Sequence, residues 1–179
     1  MQHNCSFWIT RLLHDVGVFQ ILSLIRNTCK VFQVFINPAG PKFKTSAAKL
    51  TFFDLAGAIS FYQVTRGGFA LGTCQAKVVR NRIRVAEQTG LASSRSRVVV
   101  VRGPKEHVTL SKLQALLDGE LQFYDAQWVE EPEEPTPSQA VIEICFGSYR
   151  AQTEAAWVVL CKTLVHKGVH ISFGADPCA

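Results

Sequence analysis

The segment AAKLTFFDLAGAISFY, Ala47 to Tyr62, turns from a strand pattern into a helix pattern, and the chain does so again at VIEICFGSYRAQTEAAW, Val141 to Trp157. In the first, Ala48, Leu50 and Phe52 alternate with Lys49 and Thr51 before Asp54 opens an alanine-rich helical pattern. In the second, Ile142, Ile144 and Phe146 alternate with Glu143 and Cys145 before Ala151, Ala155 and Ala156. A pattern repeated in both halves points to one unit written twice. Each copy has about 90 residues, a size at which a domain can fold alone.

The surrounding sequence completes both copies. CSFWITRL (Cys5 to Leu12) and KVFQVFI (Lys30 to Ile36) read as strands on either side of DVGVFQILSLIRN, a helix pattern behind a candidate Asp15 cap. After the strand and helix at Ala47 to Tyr62, the glycine-bearing loop RGGFALG leads to a last strand, QAKVVRNRIRV. In the second copy SRVVVVRG, LQFYDAQWV, AVIEICF and VHISF read as strands, and VTLSKLQALLDG and RAQTEAAWVVLCKTLV as helices. EEPEEPTPS joins the middle two strands, its charges and prolines opposing regular pairing. The order βαββαβ predicts an α+β protein of two ferredoxin-like domains, each a four-stranded antiparallel sheet backed by two helices. Leu50, Phe52, Ile142, Ile144 and Phe146 are expected beneath the helices. The first domain is expected over 1–86 and the second over 97–179. Between them EQTGLASSRS, residues 87–96, has the composition of a linker.

Charge separates the copies. Residues 1–90 carry eleven Lys and Arg against three Asp and Glu, and residues 91–179 carry eight against eleven, so only the first suits a polyanion. The six cysteines form no CxxC pair and fall partly in apolar periodic segments, which predicts reduced, packed thiols with neither a disulfide framework nor a metal site. Arg11, Asp15 and Arg26 interrupt the most hydrophobic stretch, and the start lacks the basic region of a signal peptide. The expected setting is intracellular, in nucleus or cytoplasm. The five histidines are dispersed and no GxSxG elbow occurs, so neither an enzyme nor a cofactor is expected.

LTFFDLAGA, at Leu50, Phe52, Asp54 and Ala58, resembles the third strand and second helix of the RNA-recognition-motif family, and ICFGSYRAQTEA resembles it more loosely. RGGFALGTCQAKV is similar to that family's glycine-bearing loop before its last strand. The resemblance spans nearly the whole chain as two copies. It implies binding of single-stranded RNA on an open sheet face, with bases stacked on one aromatic of strand 1 and two of strand 3.

On that comparison Trp8 takes the strand-1 position of the first copy, whereas its strand-3 positions hold Ala47 and Lys49. Phe35 on strand 2 faces either way, since two registers fit. The second copy offers Val99, Val141 and Glu143, which supply no aromatic and a repelling carboxylate. That copy is degenerate. Its aliphatic sheet face calls for a protein partner, for the first unit, or for cover by a loop or the acidic segment. Arg80, Arg82 and Arg84 share one face if they lie on a strand, and Arg95 and Arg97 follow in the linker region. The row suits tracking a phosphate backbone or guarding a sheet edge. The expected RNA-binding set is Trp8, Lys49, Arg80, Arg82, Arg84, Arg95 and Arg97. The alternative is a protein-interaction module without RNA binding.

Overall fold

The computed structural model describes residues 3–130 and 138–179, so residues 131–137 of the acidic connection lie outside it. The chain divides into unit 1, Met1–Ser94 together with Pro177–Ala179, and unit 2, Arg95–Asp176.

Unit 1 runs β1 (Ser6–Leu12), α1 (Val18–Leu22), β2 (Val31–Asn37), β3 (Ser46–Phe52), α2 (Leu55–Val64), β4 (Phe69–Leu71), β5 (Cys74–Arg80) and α3 (Thr89–Ala92). Its strands form one antiparallel sheet in the order β2-β3-β1-β5-β4. The expected loop RGGFALG thus supplies a fifth, three-residue strand. Glycine permits this closure: at Gly68, φ is +115° and an added Cβ would lie 2.0 Å from the Ala76 carbonyl oxygen. Phe7, Ile9, Leu50, Phe52 and Val78 meet Ile21, Ala58 and Phe61 in a buried core. There the Phe7 ring packs against Phe52, Phe61 and Tyr62.

Helix α2 begins as its sequence suggests, with the Gly57 amide donating to Asp54 Oδ1 at 2.8 Å. Helix α1 does not. It spans five residues and starts after Gly17, whose amide donates to Gln20 Oε1, while Asp15 stays exposed beside His14. Residues 87–96, expected as a linker, contain a short helix and contacts to unit 1. Thr89–Ala92 is helical, the Gln88 amide donates to the Phe53 carbonyl, and Lys30 Nζ donates to the Ala92 carbonyl. Residues through Ser94 therefore belong to unit 1, as do Pro177–Ala179, where Cys178 is buried and its carbonyl accepts the amides of Thr28 and Cys29.

Unit 2 runs β6 (Val98–Pro104), α4 (Leu110–Glu120), β7 (Ala126–Glu130), β8 (Gln139–Phe146), α5 (Glu154–Leu164) and β9 (His170–Phe173), with antiparallel order β7-β8-β6-β9. Ile142, Ile144 and Phe146 pack against Leu113, Leu117, Ala156 and Leu160. Val99 and Val101 join them, so the expected open-face position at Val99 is a core position, and Val100 takes its place. Helix α5 starts at Glu154 and not at Arg150, because Ala151 adopts φ +71°. Both units are α+β, with the ferredoxin-like order of strands and two principal helices on one face. No helix among the described residues is long and apolar enough to cross a membrane.

Candidate nucleic-acid interface

In an antiparallel sheet, directly paired residues project from the same face. Phe35 pairs with Lys49, Lys49 with Trp8, and Trp8 with Val79, which makes one row across β2, β3, β1 and β5. Their neighbours in sequence, Val34, Leu50, Phe7 and Val78, are in the core, so the row stands on the face away from the helices. Phe35 is 55% exposed, Val79 is exposed, and Trp8 and Lys49 are half-buried. Beside this row Thr10 pairs with Lys77. The register settles the two possibilities for Phe35 in favour of the open face. In the loop before β3 an exposed Phe43 lies between exposed Lys42 and Lys44, held by paired hydrogen bonds between Gly40 and Phe43. An aromatic between two lysines after NPAGP was the sequence signal for that tip.

The far end of the same face is occupied. Strand β5 stops at Arg80 because Asn81 makes a side-chain turn, its Oδ1 accepting the Ile83 amide and its Nδ2 donating to Ser6 Oγ. The chain then returns along Asn4 and Cys5, with the Cys5 amide donating to the Val85 carbonyl and the Val85 amide to Asn4 Oδ1. Ser6 and Thr51 are buried there, joined by a hydroxyl hydrogen bond of 3.1 Å.

This turn breaks the expected arginine row. Arg82 and Arg84 are exposed but lie in the bend after β5, while Arg80 pairs with Phe7 on the helix side and sits 5.0 Å over the Tyr62 ring. Arg97 is a further correction. Its side chain is 4% exposed, its Nε lies 3.0 Å from Asp176 Oδ1, and its Nη1 donates to the Phe146 carbonyl, so it holds unit 2 together and cannot reach a phosphate. Arg95 is half-buried over the Trp157 and Phe173 rings, themselves stacked with centroids 4.1 Å apart. The structure therefore brings Trp8 and Lys49 together, leaves Arg82 and Arg84 exposed in the bend after β5, and places Arg80, Arg95 and Arg97 elsewhere.

The matching row of unit 2 is Val129, Glu143, Val100 and Ser172 on β7, β8, β6 and β9. Glu143 accepts a hydrogen bond from the Cys145 thiol at 3.3 Å; burial and this carboxylate push the thiol up to about 12. Val98 and Cys145 are buried on this face, where Gly174 lies against Val98 and Val100 as the chain leaves β9 toward Asp176. A side chain at Gly174 would sit 2.7 Å from Val98. That end of the aliphatic face is thus covered from within unit 2.

No group of three or more His, Cys, Asp or Glu among the described residues is placed to hold a metal. The six cysteines are free thiols. Burial and the Asp54 carboxylate raise Cys29 to about 12, and burial with nearby Glu87 and Asp54 raises Cys5 to about 11, which makes both poor nucleophiles.

The order of strands and the crossovers make each unit an RNA-recognition-motif-like fold, and the chain a tandem of two. No protein-family model and no curated protein matches the sequence. Among solved structures, RNA recognition domains 1 and 2 of Sex-lethal from Drosophila melanogaster share 13% identity at a TM-score of 0.38, over 96% of this chain and 100% of that one. The RNA-binding domain of Hrp1 in complex with RNA shares 14% at 0.36, over 97% and 98%. The PID-3 TOFU-6 RRM domain complex shares 12% at 0.40, over 46% and 90%. Residue roles do not carry across at such identities.

Proposed function

We propose that this protein is a non-catalytic binder of single-stranded RNA, that unit 1 makes the contact, and that unit 2 serves architecture or protein contact. The observation that carries the reading is the Trp8–Lys49 pair on the open face of the basic unit. An aromatic face accepts any base, and an ammonium next to it accepts the phosphate. Lys77 on the same face, with exposed Arg82 and Arg84 in the bend after β5, offers further positive charge for a strand of nucleic acid. In unit 2 the same place holds Val100 and Glu143, which neither stack nor attract a phosphate.

The test titrates the full chain with a random pool of single-stranded RNA of about eight nucleotides at several salt concentrations. Replacing Arg82 and Arg84 with Ala should lower the logarithmic salt slope by about 1.4, at roughly 0.7 per phosphate. Glu143→Gln should leave affinity nearly unchanged. Absence of saturable binding by the intact protein would overturn the reading, whereas an unchanged slope after loss of both arginines would remove them from the contact and leave the Trp8–Lys49 pair to carry it.

A further inference from the structure

The row that holds Trp8 and Lys49 also holds Phe35, and its geometry specifies more than a single stack. Phe35 and Trp8 flank Lys49 on the two strands next to β3, so their backbones are two strand spacings, about 10 Å, apart. Stacked neighbouring bases rise only about 3.4 Å. One ring cannot therefore lie on Phe35 and the next on Trp8 while those bases stay stacked on each other. They must be splayed, and the sugar-phosphate joining them must pass over β3, where Lys49 stands.

Exposure supports the same assignment. More than half of Phe35 is in solvent, a poor place for a phenyl ring that only packs, and Lys49 has no carboxylate opposite it in either direction along the row. Val79 on the far side of Trp8 closes the row with an aliphatic surface. Two aromatic rings with one cation between them match the alternation base, phosphate, base. A peptide with aromatic side chains would not call for the central cation.

We infer that Phe35, Lys49 and Trp8 form a two-base clamp that takes an unstacked dinucleotide step of single-stranded nucleic acid, with Phe35 and Trp8 as stacking platforms and Lys49 on the bridging phosphate. The clamp rests on the RNA-binding reading above and specifies where and how that reading acts. It sets the second platform on β2, although strand 3 supplies a lysine where an aromatic was expected. A duplex is excluded, because paired bases expose no face to the rings.

The experiment measures affinity for the same RNA pool in full-length Phe35→Ala, Phe35→Leu, Phe35→Tyr, Trp8→Ala, Trp8→Phe and Lys49→Gln proteins, each confirmed as folded by circular dichroism. Phe35→Ala and Trp8→Ala should each weaken binding roughly 5- to 150-fold with an unchanged salt slope. Phe35→Tyr and Trp8→Phe should stay near wild type. Phe35→Leu should fall with Phe35→Ala, since it keeps apolar area but loses the π face. Lys49→Gln should lower the salt slope by about 0.7. If Trp8→Ala weakens binding while Phe35→Ala and Phe35→Leu bind as wild type does, the clamp is wrong and the RNA-binding reading stands. If Phe35→Leu binds as Phe35→Tyr does, stacking at β2 is refuted. If the wild-type protein binds no RNA, both conclusions fall together.

Discussion

The two units carry the same row of four register positions in two chemical versions: Phe35, Lys49, Trp8 and Val79 in one, Val129, Glu143, Val100 and Ser172 in the other. The backbone that presents them is the same, so the fold does not decide what the face does. All four positions differ: Phe to Val, Lys to Glu, Trp to Val and Val to Ser. These exchanges convert an aromatic, cationic strip into an aliphatic one with a carboxylate at its centre. The ends of the two faces differ as well. Unit 1 covers its end with polar backbone and the hydroxyls of Ser6 and Thr51, whereas unit 2 brings Asp176 back to a buried arginine.

The largest predicted effect concerns that arginine. Both members of the Arg97–Asp176 pair are nearly inaccessible, at 4% and 0%, so solvent does not screen their interaction. Arg97→Ala leaves Asp176 buried without its cation and should cost about 3–5 kcal/mol, measured by denaturant unfolding with unit 2 tryptophans in a Trp8→Phe background. Joint replacement by Arg97→Met and Asp176→Leu should be nearly neutral by the same reasoning. The contrast with unit 1 would be broken if Arg97→Ala lowered RNA affinity at unchanged stability, because the residue would then act as a phosphate contact.

An intermediate effect is predicted on the other unit. A Cβ at Gly57 would lie 1.8 Å from Cys29 Cβ, so this glycine sets how closely α2 approaches the chain entering β2. Gly57→Ala should destabilise unit 1 by about 1–3 kcal/mol through overpacking, despite the better helix propensity of alanine. Hydrogen exchange read segment by segment should show the loss in β1 to β5 and spare β6 to β9. Equal loss in both units would mean that they do not unfold as separate bodies.

How much of this the chain announced depends on the strength of each local pattern. Leu50 and Phe52, and Ile142, Ile144 and Phe146, recur at every second position with Thr51, Glu143 and Cys145 between them, and all five are buried as expected. The run Val98 to Val101 has no alternation that fixes its phase, and the strand buries Val99 where the resemblance implies an open-face position. Arg80, Arg82 and Arg84 kept a period of two, but Asn81 could satisfy a backbone amide with its own side chain, and the strand ended there. Arg97 reads as one more basic residue near a linker. Its role depends on Asp176, 79 residues away, which no local pattern reveals. Phe35 became informative only when the β2–β3 register fixed its face.

The smallest effect predicted is one the units share. Each pairs a thiol with a carboxylate: half-buried Cys29 donates to Asp54 Oδ2 at 2.9 Å in unit 1, and buried Cys145 to Glu143 Oε1 at 3.3 Å in unit 2. Burial first, and then the carboxylate, raises each thiol from 9.0 to about 12. Between those values the unfolded chain has lost the proton and the folded chain retains it. Folding thus takes up a proton, and stability must fall as pH rises. The contribution is complete below about pH 9 and is lost progressively toward about pH 12. Serine keeps a donor for the carboxylate but does not titrate in this window. Cys29→Ser should flatten the alkaline decline of unit 1 alone, and Cys145→Ser that of unit 2 alone, when unfolding is followed from about pH 8 to about pH 10.5. A mutant whose decline parallels the wild type would show that its thiol ionises as freely folded as unfolded. An effect of Cys29→Ser in unit 2 would instead show that the two sheets are coupled through their stability.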